Sequence, residues 1–248
     1  MKILVCISSV PDTTSKINFT ADKSAFDKNG IQWVINPLDE FGLTKAIKLQ
    51  ESAGATVTVL NVGDVTTEPV IRKSLAIGAN DAIRINIEPK DSFSVAKEIA
   101  NVAQGGGYDL ILCGKESIDY NGGSVPGMVA QLLNQPFVNA CVGLEVNGAE
   151  ATAVREIEGG KETISVKLPA VIAGQKGMVD EKDLIIPNMR GIMSARSKPL
   201  TVTEPINSEV KVDAVSFDSV PARAAVKMVT PDNLDELVRL LHEEAKVI

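Results

Sequence analysis

The residues best placed to do chemistry lie in one run, Gly114-Lys115-Glu116-Ser117-Ile118-Asp119-Tyr120-Asn121-Gly122-Gly123-Ser124-Val125-Pro126-Gly127-Met128. The run follows an apolar strand-like stretch, residues 110–113, and leads into a helical pattern over about residues 125–133. A helix N-terminus offers unpaired N–H groups and partial positive charge, which suits phosphate. Gly122 and Gly123 would let the backbone close on a ligand, and Ser124 adds a hydroxyl. The run matches neither GxGxxG nor GxxxxGK[ST], and no acid stands where a dinucleotide-binding unit places one. Spacing alone leaves two readings open, a phosphate cradle and a plain connecting loop. A second run, residues 183–198, sets Ile186, Met189, Ile192 and Met193 among loop and basic residues that include Arg190. Flexible methionines adapt to varied partner surfaces. The other reading is that these side chains fold back into the core.

Few other residues could act as nucleophile, base or metal ligand. The single histidine, His242, falls near the C-terminus in a charged helical pattern, so Ser-His-Asp or Cys-His chemistry would have to rest on it. Cys6, Cys113 and Cys141 are far apart, each in an apolar run and without metal-ligand spacing. They read as small buried hydrophobes in a reducing compartment. The 25 basic and 32 acidic side chains leave a net charge of −7, which argues against sequence-independent nucleic-acid binding. No apolar run approaches the roughly 20 residues of a membrane span. Met1-Lys2-Ile3-Leu4-Val5 has no signal-peptide layout. The expectation is a cytoplasmic protein with no membrane insertion.

The elements that must position these runs can be read from periodicity. Apolar, β-branched stretches recur at residues 3–7, 56–62, 82–87 and 110–113, without alternation, as in strands buried on both faces. Helical stripes lie between them. Val95, Ile99, Val102 and Ala103 share one face. Residues 68–77 carry Pro69 in the first turn and Gly78 just beyond the end. Residues 39–52 carry Leu43, Ala46 and Ile47. Strands alternating with such helices predict an α/β fold, an open and mostly parallel sheet flanked by helices. Between Val10 and Leu38 an excursion hairpin is expected, with Asn29-Gly30 as a turn. Residues 142–146, 150–156 and 162–167 read as an antiparallel β excursion joined at Asn147-Gly148 and Gly159-Gly160. Residues 170–173 read as another buried strand. From 174 to 199 regular patterning is lost, which in a compact domain points to function or disorder. A C-terminal helical arm begins at Thr230-Pro231-Asp232 and lines up Leu234, Leu237, Val238, Leu241 and Ala245. The expected division is an α/β domain over 1–199 and an extension over 200–248.

In open α/β sheets ligands sit beyond the carboxyl ends of the strands, at the switch in strand order. Cys6 through Ser9, Asn36-Pro37-Leu38-Asp39, Asn61 through Asp64 and the run from Gly114 all emerge there.

Short motifs in one order add a resemblance. They are Lys2-Ile3-Leu4-Val5-Cys6 with Val10-Pro11-Asp12, Asn36-Pro37-Leu38-Asp39-Glu40, and Ile71-Arg72 with Leu75-Ala76 and Gly78-Ala79. They continue with Gly114-Lys115, Ser117-Ile118-Asp119, Arg155-Glu156, Lys167-Leu168-Pro169-Ala170-Val171, and Gly191-Ile192-Met193 with Ala195-Arg196. Over essentially its whole length the chain resembles the β (small) subunit of electron transfer flavoproteins. The resemblance implies an electron carrier subunit, not an enzyme, paired with a larger α subunit that holds most of a redox-active FAD. It implies AMP bound structurally near Cys6, Asn36 to Asp39, Val62 and Ser117 to Met128. Residues 183–198 would dock acyl-CoA or other flavin dehydrogenases, with Met189 as apolar anchor, and electrons would leave to a quinone reductase. The C-terminal extension would pack on the α subunit. The chain departs from the family pattern at Ser8, Thr13, Leu38 and residues 179–183. Residues 121–127 also lack the Asp-Gly-Asp-Thr-Ala-Gln type of bifurcating members, which would carry a second FAD in this subunit, so AMP is the expectation. An ATP-pyrophosphatase-type enzyme would need a glycine-bearing phosphate loop where Ser8-Ser9-Val10-Pro11-Asp12 stands. A universal-stress-type nucleotide module would leave the antiparallel excursion unexplained.

Overall fold

A computed structural model describes all 248 residues. The strands are β1 (Lys2–Cys6), β2 (Ser9–Pro11), β3 (Trp33–Ile35), β4 (Thr56–Val62), β5 (Asp81–Ile85), β6 (Leu110–Gly114), β7 (Phe137–Asn147), β8 (Glu150–Ile157), β9 (Gly160–Lys167), β10 (Ala170–Gly174) and β11 (Leu200–Thr203). The helices are α1 (Pro37–Ala53), α2 (Glu68–Ile77), α3 (Ser92–Gly106), α4 (Val125–Leu133), α5 (Met189–Ala195) and α6 (Leu234–Arg239). Nine strands form one sheet in the order β11-β5-β4-β1-β6-β10-β7-β8-β9, and β2 with β3 forms a small antiparallel pair. The fold is the expected α/β type.

Burial explains the two layers. Ile3, Val5 and Ile7 point to one face of the sheet, against Phe41, Leu43 and Ile47 of α1 and Ile71 and Leu75 of α2. Leu4 and Cys6 point to the other, against Ala96 and Ile99 of α3 and Val129 and Ala130 of α4. Each fully buried aliphatic side chain adds about 1.5–3 kcal/mol, so both faces must be covered, as the unalternating runs required. Local signals set the helix ends. Gly54 closes α1 in the left-handed conformation at φ 65°, and Asp91 and Ser94 form a capping box at the start of α3.

The strand order places the switch point. From β1 the chain moves outward through β4 and β5 on one side, whereas β6 and then β10 lie on the other. β1 pairs in parallel with β4 and with β6. Its carboxyl end, flanked by that of β6, is therefore where the sheet changes direction.

Several expectations are corrected in detail. Asn29-Gly30 does form a turn, with Gly30 at φ 71°, but it does not join two paired strands. The ladder pairs Ser9–Pro11 with Trp33–Ile35, and Phe19 and Phe26 form a separate bridge around a turn at Lys23. β7 starts at Phe137, earlier than expected. It pairs with β10 in parallel up to Cys141, then with β8 in antiparallel, and a bulge at left-handed Ala140 accompanies the change. The stretch 174–199 is not structureless, because it contains α5 and a turn of 3-10 helix at Glu181–Asp183. β11 pairs in parallel with β5, so the first residues of the extension expected over 200–248 belong to the sheet.

The chain divides into two units. One comprises Met1–Ile17 and Lys28–Val215, and holds every element named so far except α6 and the Phe19–Phe26 bridge. The other comprises Asn18–Asp27 and Ser216–Ile248. Inside it Phe19 stacks on Phe217 with centroids 5.3 Å apart, and the Phe217 N–H donates to the Lys23 carbonyl. The terminal helix begins at Leu234, not at Thr230, because Asn233 caps it, its side chain accepting from the Glu236 N–H. It runs on as π-helix over Leu240–Ala245.

Candidate nucleotide site and docking segment

At the switch point one carboxylate ties two strand ends together. Asp39, in the first turn of α1, accepts the Ser8 N–H at 2.8 Å and the Gly114 N–H at 2.7 Å. Ser8 follows β1 and Gly114 ends β6. Asp39 is only 4% exposed. Burial pushes its carboxyl up to about 7, while the Ser8 and Gly114 amides and Asn36 pull the other way. Gly114 is required here, because a Cβ on it would lie 2.4 Å from Asp39 Oδ1 and 3.0 Å from the Asp39 backbone N.

Asn36 extends the clasp. It stands at the N-cap of α1 but makes no side-chain cap bond there. Its Nδ2 donates to the Glu116 carbonyl at 2.9 Å, and its Oδ1 accepts the Ile118 N–H at 3.3 Å. Pro37 occupies the first turn of α1, where no N–H is needed, and Leu38 packs against the core. The loop after β6 is thereby fixed to the start of α1. It closes on itself where the Ser117 N–H donates to the Gly122 carbonyl at 3.0 Å, with Asn121 left-handed at φ 50°. Asp119 accepts from Ser117 Oγ and from the Tyr120 N–H, and Tyr120 is 73% exposed.

The loop delivers the chain to α4. Ser124 sits at its N-cap with no side-chain cap bond, and the first helical hydrogen bond runs from Met128 N–H to the Ser124 carbonyl. The Val125 and Gly127 amides precede that bond and lie among the orphan donors of a helix start; Pro126 has none to offer. A Cβ on Gly122 would meet nothing within 4 Å, whereas one on Gly123 would lie 3.2 Å from the Lys115 carbonyl oxygen. The start of α4 is thus a donor-rich end beside an open glycine.

The neighbouring strand ends hold Asn61, in a segment expected there, and Arg84, which sequence reasoning did not single out. Asn61 donates through Nδ2 to the Ile7 carbonyl at 2.9 Å, while its buried Oδ1 has no partner. Arg84, paired with Asn61 across β4 and β5, donates through Nη1 to the Gly63 carbonyl at 3.0 Å and to Asn86. A polar residue inside each apolar run, Val-Leu-Asn-Val and Ala-Ile-Arg-Ile, was the available signal. Val62 is half-buried at the end of β4. Cys6 and Cys113 are free buried thiols on adjacent strands, and hydrogen bonding to Cys6, with burial, pushes the Cys113 thiol up. Cys6, Asn36, Asp39 and the loop from Ser117 therefore converge on the switch point, but the Asn36 and Asp39 side chains spend their polar atoms on the chain itself.

The second candidate run lies elsewhere. Ile186, Met189 and Met193 are 85%, 73% and 68% exposed, and Ile192 and Arg190 are also exposed. Of α5 only Ala195 is buried, so the alternative of a core-facing run does not hold.

Against known proteins, the family model described as "Electron transfer flavoprotein domain" matches residues 24–207. The chain is 34% identical over its whole length to the whole of the electron transfer flavoprotein subunit beta of Bacillus subtilis. It is 35% identical to that of Syntrophomonas wolfei, over 91% of this chain and 88% of that protein. It is 28% identical to the human subunit beta, over 94% and 95% of the two chains. The chain belongs to the electron transfer flavoprotein β-subunit family, and its role is in electron transfer.

Proposed function

We propose that this chain is the β subunit of a heterodimeric electron transfer flavoprotein that binds AMP as a structural ligand. One observation carries the reading: a donor-rich helix start, with Ser124 unused as a cap, stands at a switch point whose strand ends Asp39 and Asn36 hold fixed. The residues present fit an adenylate. Val125 and Gly127 amides with the Ser124 hydroxyl suit the phosphate, and the unpartnered Asn61 Oδ1 is a buried acceptor at the end of β4. Cys6, Val62 and residues 117–128 would line the ligand, while Pro37, Leu38 and the side chains of Asn36 and Asp39 would shape the site rather than touch the phosphate.

The redox chemistry belongs to FAD held mostly by the α subunit; this chain positions and docks. The exposed Ile186, Met189, Ile192 and Met193, with Arg190, form the surface on which an acyl-CoA or other flavin dehydrogenase would settle, as in fatty acid oxidation. A contact centred on a few methionines suits a transient redox encounter that buries little surface. Electrons would pass through the α-subunit FAD to a quinone reductase. The terminal arm exposes Leu234, Leu237 and Val238, an apolar face suited to the α subunit. Nucleotide extraction from the co-expressed heterodimer tests the reading. One FAD and one AMP per heterodimer supports it; two FAD and no AMP would make this a bifurcating-type subunit instead.

A further inference from the structure

The last carbonyls of a helix lack intrahelical donors. At the end of α2 one is supplied by Lys198, whose Nζ donates to the Leu75 carbonyl at 2.9 Å and, just beyond the helix, to the Ala79 carbonyl at 2.6 Å. Arg72, from the middle of α2, returns the arrangement. Its Nη1 donates to the carbonyls of Ala195, the last residue of α5, and of Lys198, each at 2.9 Å. Both cations thus sit where the helix dipoles favour positive charge. The two backbones also touch, because a Cβ on Gly191 would fall 2.4 Å from the Ala76 carbonyl oxygen. A helix of seven residues does not hold itself in water, and α5 buries only Ala195.

We infer that Arg72 and Lys198 are positioning residues for the docking segment: Arg72 caps the end of α5, Lys198, three residues beyond α5, caps the end of α2, and together they fix α5 on α2, with Met189 and Met193 facing outward. The inference rests on the docking reading above. It assigns to two cations, neither of them among the exposed apolar contacts, the task of pre-organising those contacts, which lowers the ordering cost of each encounter.

The test uses the purified heterodimer with an acyl-CoA dehydrogenase of the same organism as electron donor. Lys198→Met should raise the KM for the dehydrogenase about tenfold, with kcat and the FAD and AMP contents held. Lys198→Arg, which keeps charge and donors, should return most of the loss. Arg72→Gln, on the other side of the contact, should give the same signature. Added to Met189→Asp, Lys198→Met should raise KM no further, since a misplaced anchor and a ruined one cost the same contact. An unchanged KM in Lys198→Met and Arg72→Gln beside a raised KM in Met189→Asp overturns the positioning role and leaves docking intact. An unchanged KM in all three overturns docking, and the positioning role with it.

Discussion

Gly114→Ala probes the switch point with a single methyl group. The added Cβ would lie 2.4 Å from Asp39 Oδ1, 3.0 Å from Asn36 Nδ2 and 3.0 Å from the Asp39 backbone N. The carboxylate cannot swing clear, because its other oxygen holds the Ser8 N–H at 2.8 Å. Overpacking of this kind costs about 1–3 kcal/mol, and the lost hydrogen bond to a buried charge about 1.5–3 more. The sum is about 2.5–6 kcal/mol, which for a chain of this length lowers the melting temperature by about 5–24 °C. Gly122→Ala, in the same loop, is the control. Its Cβ meets nothing within 4 Å, so the change should stay within about 0.5 kcal/mol. Melting of the heterodimer, at matched protein and nucleotide concentrations, reads both. Equal melting temperatures for the two variants would refute the claim that Asp39, Asn36 and Gly114 are packed into one clasp.

Asp39 should leave a mark on the pH profile. Its carboxyl titrates near 3.9 when unfolded and at about 7 when folded, so between those values the folded state holds the extra proton. The stability it contributes is full below about pH 4 and is lost as pH rises toward 7, by at most about 1.4 kcal/mol per pH unit. Subtracting the profile of Asp39→Asn from that of the native chain isolates this slope, and a flat difference would mean the group titrates alike in both states. Ser124→Glu should expel AMP by placing a negative charge at the start of α4, and AMP content equal to that of the native complex after purification would remove the phosphate from that helix end. Buried Glu98 accepts from the Ile206 and Ser208 N–H groups and from Ser208 Oγ, strapping the chain after β11 onto α3. Glu98→Gln should weaken that strap by about 1–3 kcal/mol and speed amide exchange over residues 206–212, and unaltered exchange there would show that the strap is held by something else.

Much of this architecture was legible because burial on two faces leaves a plain trace. Unalternating runs at β1, β4 and β6 marked a covered parallel sheet, and Pro69 with Gly78 bracketed α2 within a residue. The glycine-rich run pointed to the start of α4, since glycine, serine and proline announce that geometry locally. What was not legible depended on distant contacts. α5 was hidden by Gly191, a poor helix residue whose presence is explained only by the Ala76 carbonyl pressed against it. β11 was hidden because four residues with a half-exposed pattern become a strand only beside the free edge of β5. Asn36 stands at the N-cap of α1, yet its side chain serves a loop eighty residues away. Residue type told which groups were polar; only the fold told which of them were already spent.

That distinction decides how to read Asp39. A buried carboxyl near pH 7 in the crevice of an α/β sheet is the usual mark of an acid–base residue. Here each of its oxygens already accepts a backbone amide, from the ends of two strands that diverge in the chain path. Its neighbour Asn36 is committed in the same way to Glu116 and Ile118. Burial accounts for the raised carboxyl, and the two amides account for its place, holding the ends of β1 and β6 together with no substrate invoked. A rigid crevice of this kind fits the subunit proposed above, which would hold a nucleotide still while its α partner carried the flavin.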